Sequence, residues 1–335
     1  MSETTPTTSD SSSLDSISKV QSTIQALSHI VTVVPPSLSS SPNPSLALLH
    51  DPQITSQISS LLRQPNSGAG DNNLCRWLYD TFQLSDPNLQ LVVLRFIPII
   101  AGVYLSRVLR KHLAGFEAVL LALYAHETTS RAGQAITVNV PDLSHSSIYH
   151  ETKAPLKKDD TEQNLAVVSP SLEPHGTVRS SRRARIVGVA LELYYSKIAQ
   201  MPVGSKVDFC EFCVVWAGQN GDMYKEGGVQ EKGISGTTES EKEREVNEGR
   251  IPLPWELLQP VLRILGHCLM GPTKNKELSE AASAACRSLY ARSLHDIDPK
   301  AILATESLLR LGKLELQSNN DFDPTDIPKS HLITL

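Results

Sequence analysis

Apolar residues recur along this chain at helical spacing far more often than they alternate. Leu14, Ile17, Ile24, Leu27 and Val31 mark a first stripe, which Pro35 and Pro36 stop before the polar loop SLSSSPNPS. Asp51 before Pro52 is a helix start, an N-cap followed by proline at the first turn, and Ile54, Ile58, Leu61 and Leu62 form the apolar face behind it. Leu74, Trp77, Leu78 and Phe82 mark the next helix. Asp86-Pro87 repeats the start signal and opens an apolar run over 89–105, which predicts one buried helix kinked near Pro98. Further helices are predicted over 115–128, over 182–199 with Ile186, Val189, Ala190, Leu193 and Ile198 inward, and over 207–216. The C-terminal part is the clearest. Leu258, Val261, Leu262, Leu265, Cys268 and Leu269 keep the i, i+3, i+4, i+7 spacing until Gly271-Pro272. Leu278, Ala281, Ala282, Ala285 and Leu289 repeat it, and Pro299 opens a last helix with Ile302, Thr305, Leu308 and Leu309 inward.

One stretch breaks the helical pattern. In ITVNVPDLSHSSIYHE, residues 136–151, Ile136, Val138 and Val140 alternate with Thr137 and Asn139, as a short strand requires. Pro141 removes a backbone donor and limits pairing to an edge or an end. Asp142, Ser144, Ser146 and Ser147 suit turns. Two polar segments, 152–180 and 218–249, lack periodicity and are expected to be flexible inserts. The predicted fold is all-α: a stack of antiparallel helical hairpins with at most one small β element and two disordered inserts. A disordered N-terminus (1–13), a single helical domain (14–316) and a short tail (317–335) follow from the same pattern. The cluster Leu91, Val92, Val93, Leu94, Ile97, Ile99 and Ile100 cannot share one stripe, so it requires a second layer, from within the chain or from another protein.

Charge and cysteine content narrow the picture. A formal net charge of −5 over 335 residues gives no broad basic field for nucleic acid. Five cysteines, an odd number, do not make a disulfide framework and fit a reducing compartment. The opening MSETTPTTSDSSS reads as neither a signal nor a transit peptide, Ser2 rules out a myristoylation motif, and the ending ITL carries no prenylation cysteine. The longest apolar run is interrupted by Arg95 and Pro98, short of the about 20 residues a spanning helix needs.

Candidate chemistry is sparse. Cys210 and Cys213 form one C-x-x-C pair, whereas a zinc site wants four ligands, and the other cysteines (Cys75, Cys268, Cys286) stand apart on apolar stripes. The pair therefore reads as small core residues. His126-Glu127 lacks the second histidine of H-E-x-x-H, since Ser130 stands there, and no phosphate loop or nucleophile elbow occurs. Tyr149, His150 and Glu151 put three polar tips close together, so a small-substrate enzyme stays as an alternative, with no nucleophile nearby. Arg179, Arg182, Arg183 and Arg185 form the one basic cluster. Against anionic lipid each charge could add about 1 kcal/mol, which keeps a membrane-binding adaptor as another alternative; otherwise the cluster is a solvated helix start.

The run Pro141, Leu143, Ser144, Ser147, Tyr149, His150, Glu151 resembles the signature of the hyccin family. LRFIPIIAGVYL and GFEAVLLALYAHE ahead of it, and VDFCEFC, RIPLPWELLQ and the last two helices behind it, resemble that family's blocks in order and spacing, over about residues 71–316. The resemblance implies a non-catalytic subunit of the plasma-membrane phosphatidylinositol 4-kinase type III alpha complex. Such a subunit binds a tetratricopeptide-repeat scaffold and reaches the membrane indirectly, through a lipidated anchor subunit. It implies a cytosolic protein recruited to the plasma membrane, with no cofactor and no metal, that supports phosphatidylinositol 4-phosphate synthesis by packing. The signature residues become candidate partner contacts on the same ground. Animal members carry a long tail after the last helix, so functions housed there are not expected here. The longer inserts imply a plant-like branch.

Overall fold

A computed structural model describes residues 9–36, 38, 41–140, 164–219, 221, 224, 254–272 and 275–318. Among them are twelve α-helices and one two-stranded antiparallel ribbon. In chain order the elements are α1 (Ser9–Ser28), α2 (Pro44–His50), α3 (Pro52–Arg63), α4 (Asn73–Gln83), α5 (Pro87–Leu94), α6 (Ile97–Arg107), α7 (Ala114–Ser130), β1 (Ile136–Val140) and β2 (Asn164–Ser169). They continue with α8 (Arg183–Ser196), α9 (Val203–Ala217), α10 (Trp255–Met270), α11 (Lys276–Asp296) and α12 (Pro299–Ser318). The all-α expectation, with one small β element, holds.

The helix starts are written locally. Asp51 Oδ1 accepts from the Ile54 N–H at 2.8 Å, and Asp86 Oδ1 accepts from Asn88 and Leu89 at 2.9 and 3.0 Å. Asn72 and Asn275 do the same for Cys75 and Leu278. Each of these side chains satisfies donors that the first turn leaves open. Gly218 ends α9 in the left-handed region, where a residue without Cβ is unstrained. α11 instead ends on Ile297 at φ +51°, a β-branched residue in that same region.

The expected single helix over 89–105 is two helices. α5 and α6 meet at a bend of 42° around Arg95 and Phe96, and Pro98 lies in the first turn of α6, where its missing N–H costs nothing. The bend frees the Arg95 carbonyl, which accepts from Ser205 Oγ at 2.6 Å; Ser205 Oγ also lies 3.1 Å from the Tyr194 hydroxyl. Ser205 thus ties the bend to α8 and α9. No single helix among the described residues is long and apolar enough to cross a membrane; α5 and α6 reach that length only together, across their 42° bend, and are buried along almost their whole length.

Helices pack on their neighbours in two successions, α1–α4–α7–α8–α10–α12 and α3–α6–α9–α11, with α2 and α5 bridging the first half. One continuous cluster of buried apolar side chains runs from Val20 to Ala301. The second layer required by Leu91, Val92, Val93, Leu94, Ile97, Ile99 and Ile100 comes from within the chain, because all seven are buried in it. Close approach is arranged at α8 and α10. Pro260 leaves the Glu256 carbonyl without its helical donor, and Gly188 fits against that oxygen; a Cβ on Gly188 would lie 2.6 Å from it.

The segment 152–180, expected to be a flexible insert, contains a strand. β2 pairs with β1 in antiparallel register, Val138 with Ala166 and Val140 with Asn164. Beyond it the chain stays packed: Leu172 is buried, its N–H donates to the Gly133 carbonyl, and the Tyr124 hydroxyl donates to the Glu173 carbonyl at 2.9 Å. The start of the second insert is also placed, with Gly221 against the Arg287 backbone and Tyr224 edge-on to Tyr290.

Candidate interaction surface

α6 and α9 enclose a cleft of about 340 Å3. Its floor is apolar: Pro98, Ile99, Gly102 and Val103 from α6 face Phe212, Val215 and Trp216 from α9. Gly102 brings the two helices together, since a Cβ there would stand 2.9 Å from the Phe212 ring. Phe212 stacks on Trp216 with centroids 5.7 Å apart, which makes that wall stiff. Val215 is 74% exposed, the most exposed apolar side chain of α9. One edge is charged. Arg63 of α3 lies 2.7 Å from Asp208 and 3.5 Å from Glu211, a single cation shared by two carboxylates. Such a lining excludes water from an apolar guest and offers little to a reacting one: no nucleophile stands beside a base in it.

The ribbon is a second exposed feature. Ile136, Val138, Val140, Leu165 and Val167 are all exposed, and a lone two-stranded ribbon has little stability of its own. Its base is held by a buried charge network. Arg131 contacts Glu127 at 2.6 Å and Glu192 at 3.0 Å, and donates to Ser169 Oγ at 2.8 Å. Arg185 donates to the same Ser169 Oγ and to the Pro170 carbonyl, and lies 3.7 Å from Glu192. Two arginines and two carboxylates therefore fix the end of β2 against α7 and α8.

This network redistributes the basic cluster. Arg185 is turned into it. Arg183 points at the Tyr104 hydroxyl, at 3.2 Å, and that hydroxyl donates to Glu117 at 2.9 Å. Burial, the first cause, pushes the Tyr104 hydroxyl up to about 12. Arg182 contacts the His175 ring at 2.7 Å, and Arg179 is exposed. The four arginines do not present one common basic face.

The cysteines are placed differently from the sequence expectation in one respect. Cys210 and Cys213 are core residues of α9, fully buried, as their spacing on an apolar helix suggests. Cys268 and Cys286, which stand apart in the sequence, converge on them from α10 and α11. A hydrogen bond with Cys268 and then burial push the Cys210 thiol far up; burial raises Cys213 well above its usual value and lifts Cys286 to about 12 and Cys75 to about 11. Thiolate, the metal-binding and nucleophilic form, is disfavoured at all four. Among the described residues, no group of three or more His, Cys, Asp and Glu side chains is arranged to hold a metal ion. The signature residues Pro141, Leu143, Ser144, Ser147, Tyr149, His150 and Glu151 lie outside the described residues, immediately after β1.

A family model for hyccin matches residues 39–330. The chain belongs to the hyccin family. The hyccin match reaches further than the blocks legible by eye, taking in α2 and α3 at one end and all of α12 at the other. α1 precedes the hyccin region yet belongs to the same body, burying Val20, Ile24 and Leu27 and accepting at the Thr23 carbonyl from Trp77 Nε1 at 3.0 Å. Within the hyccin region the cleft had one signal in the sequence. Val215 sits in an apolar run that covers every side of its helix, a pattern that usually means full burial, and here one side faces out.

Proposed function

We propose that this chain is a non-catalytic subunit of a phosphatidylinositol 4-kinase type III alpha complex. Its task there is to pack against a tetratricopeptide-repeat scaffold and so support phosphatidylinositol 4-phosphate synthesis at the plasma membrane. The observation that carries this reading is the hyccin match over residues 39–330. The exposed apolar cleft and ribbon support it, since apolar surface held on a fixed framework suits protein association. The protein is cytosolic in this scheme and reaches the membrane through its partners, including a lipidated anchor subunit. The inward ties of Arg183 and Arg185 support indirect rather than direct lipid contact.

Co-expression with the repeat scaffold, followed by size-exclusion chromatography with light scattering, tests the proposal. A one-to-one heterodimer is expected, stable at micromolar concentration and able to recruit the kinase. A monomer that ignores the scaffold at that concentration overturns it. Flotation with acidic liposomes at physiological salt separates the adaptor alternative: the purified protein alone is expected to stay in the dense fraction.

A further inference from the structure

We propose that the cleft between α6 and α9 docks one amphipathic helix of a partner protein, carrying aliphatic side chains flanked by lysine or arginine. The inference deepens the subunit reading and rests on it only for the partner's identity. Three observations carry it. First, two helices held close by Gly102 and Phe212 form an apolar groove walled by a helix on each side, a setting into which a third helix lays its i, i+3, i+4 and i+7 side chains. Second, Val215 is left 74% exposed beside a stiff aromatic wall, so an aliphatic guest gains contact without reordering the host. Third, the charged edge is acidic on balance. Of the residues lining the cleft, Arg63 is the cation and Asp208 and Glu211 the two carboxylates; Asp208 also feels the buried Arg95, and Glu211 is the less tightly held, at 3.5 Å from Arg63 and 63% exposed. A cation on the guest finds its carboxylate there, whereas an anionic lipid surface would be repelled.

The test uses the full chain and two synthetic helical peptides. Both carry leucines at i, i+3, i+4 and i+7; one is flanked by lysines, the other by glutamates. Fluorescence anisotropy is expected to show the lysine-flanked peptide binding the wild-type chain more tightly. Val215→Asp, at an exposed position that folding does not depend on, is expected to weaken it at least tenfold. Glu211→Lys is expected to weaken the lysine-flanked peptide and strengthen its glutamate-flanked counterpart. Equal binding of both peptides, or binding untouched by either variant, overturns the proposal. So does a wild-type homodimer that Val215→Asp converts to monomer, because the guest is then a second copy. Binding that appears only after residues 226–247 are removed overturns it too, in favour of the chain's own segment. The same variants are then carried into the scaffold co-expression. A complex that survives both removes the cleft from the interface and leaves the subunit reading standing. Failure of the wild-type chain to form any complex removes the subunit reading, and the peptide pair alone then settles the cleft.

Discussion

Arg131→Met is the most informative single change outside the cleft. Methionine keeps the aliphatic packing and deletes three polar contacts at once: Glu127 at 2.6 Å, Glu192 at 3.0 Å and Ser169 at 2.8 Å. The Arg131 and Glu192 side chains are only 10% and 5% exposed, so little solvent is at hand to replace what is lost. Removing one partner of a buried ion pair costs roughly 3–5 kcal/mol. Arg185 still faces Glu192 at 3.7 Å, which places the expected loss near the bottom of that range, about 3 kcal/mol. At about 2–4 °C per kcal/mol for a domain of this size, Tm falls by roughly 6–12 °C. Urea unfolding followed by far-ultraviolet circular dichroism measures the free energy, with the slope against urea unchanged. Hydrogen exchange adds a local readout, because the amides of β1 and β2 should exchange faster once Ser169 loses a donor. The control is Arg76→Met, whose contact with Asp80 is 3.8 Å long and solvent-exposed; such pairs contribute at most about 1 kcal/mol. A loss for Arg131→Met no greater than for Arg76→Met would refute the buried-network account and free the ribbon from its supposed anchor.

Gly188→Ala should destabilise by about 1–2 kcal/mol in the same assay, the overpacking against the Glu256 carbonyl outweighing alanine's better helix propensity; Gly204→Ala, with nothing within reach of its Cβ, should be neutral or stabilising. Ile297→Gly should raise stability by up to about 1 kcal/mol, since the residue is 79% exposed and held at φ +51°. All five thiols should resist a thiol reagent until the protein is unfolded, and no zinc should be lost on Cys210→Ser; a rapidly reacting thiol or stoichiometric zinc in the purified protein would count against their placement in the core. Replacing residues 226–247 with a short Gly/Ser linker should leave Tm nearly unchanged, because the entropy of closing a connection depends only weakly on its length; extending the cut through Gly221 and Tyr224 should lower Tm, since both pack on α11.

What the sequence made legible was mostly local. Asp51-Pro52 and Asp86-Pro87 start helices because a carboxylate caps and a proline begins the turn, and both act within four residues. Pro98 announced an interruption of the apolar run, although its place is inside the first turn of α6 and the bend lies just before it. α2 was hidden because Pro44 opens it directly out of a serine-rich loop. β2 was hidden because its partner, β1, lies across a connection of more than twenty residues, and strand pairing leaves no mark within a short window. The charge network depends on residues up to 61 positions apart. Its one trace is Glu192 within the apolar run VALELYY, where a charge needs a buried partner. The convergence of Cys268 and Cys286 on Cys210 follows from how three helices meet, which no spacing along one helix encodes. The cleft was the least legible feature, because the apolar run of α9 reads as buried on every side.

The interleaving of α6 with α8 and α9 bears on how the protein is made. The inner face of α6 is covered by helices that lie about 100 residues later, and Ser205 must arrive before the Arg95 carbonyl at the bend has its donor. On a ribosome working at roughly 5–20 residues per second, the interval between them lasts on the order of 5–20 s. Throughout that time α6 has α3 beside it and lacks the cover that α8 and α9 bring. The core of the first half is therefore completed only when α8 and α9 have been made, and chaperones that shield apolar helices are expected to bind the chain before then. Slow codons between 108 and 203 prolong the vulnerable interval, and ribosome-bound holding factors should be found most heavily over that part of the message.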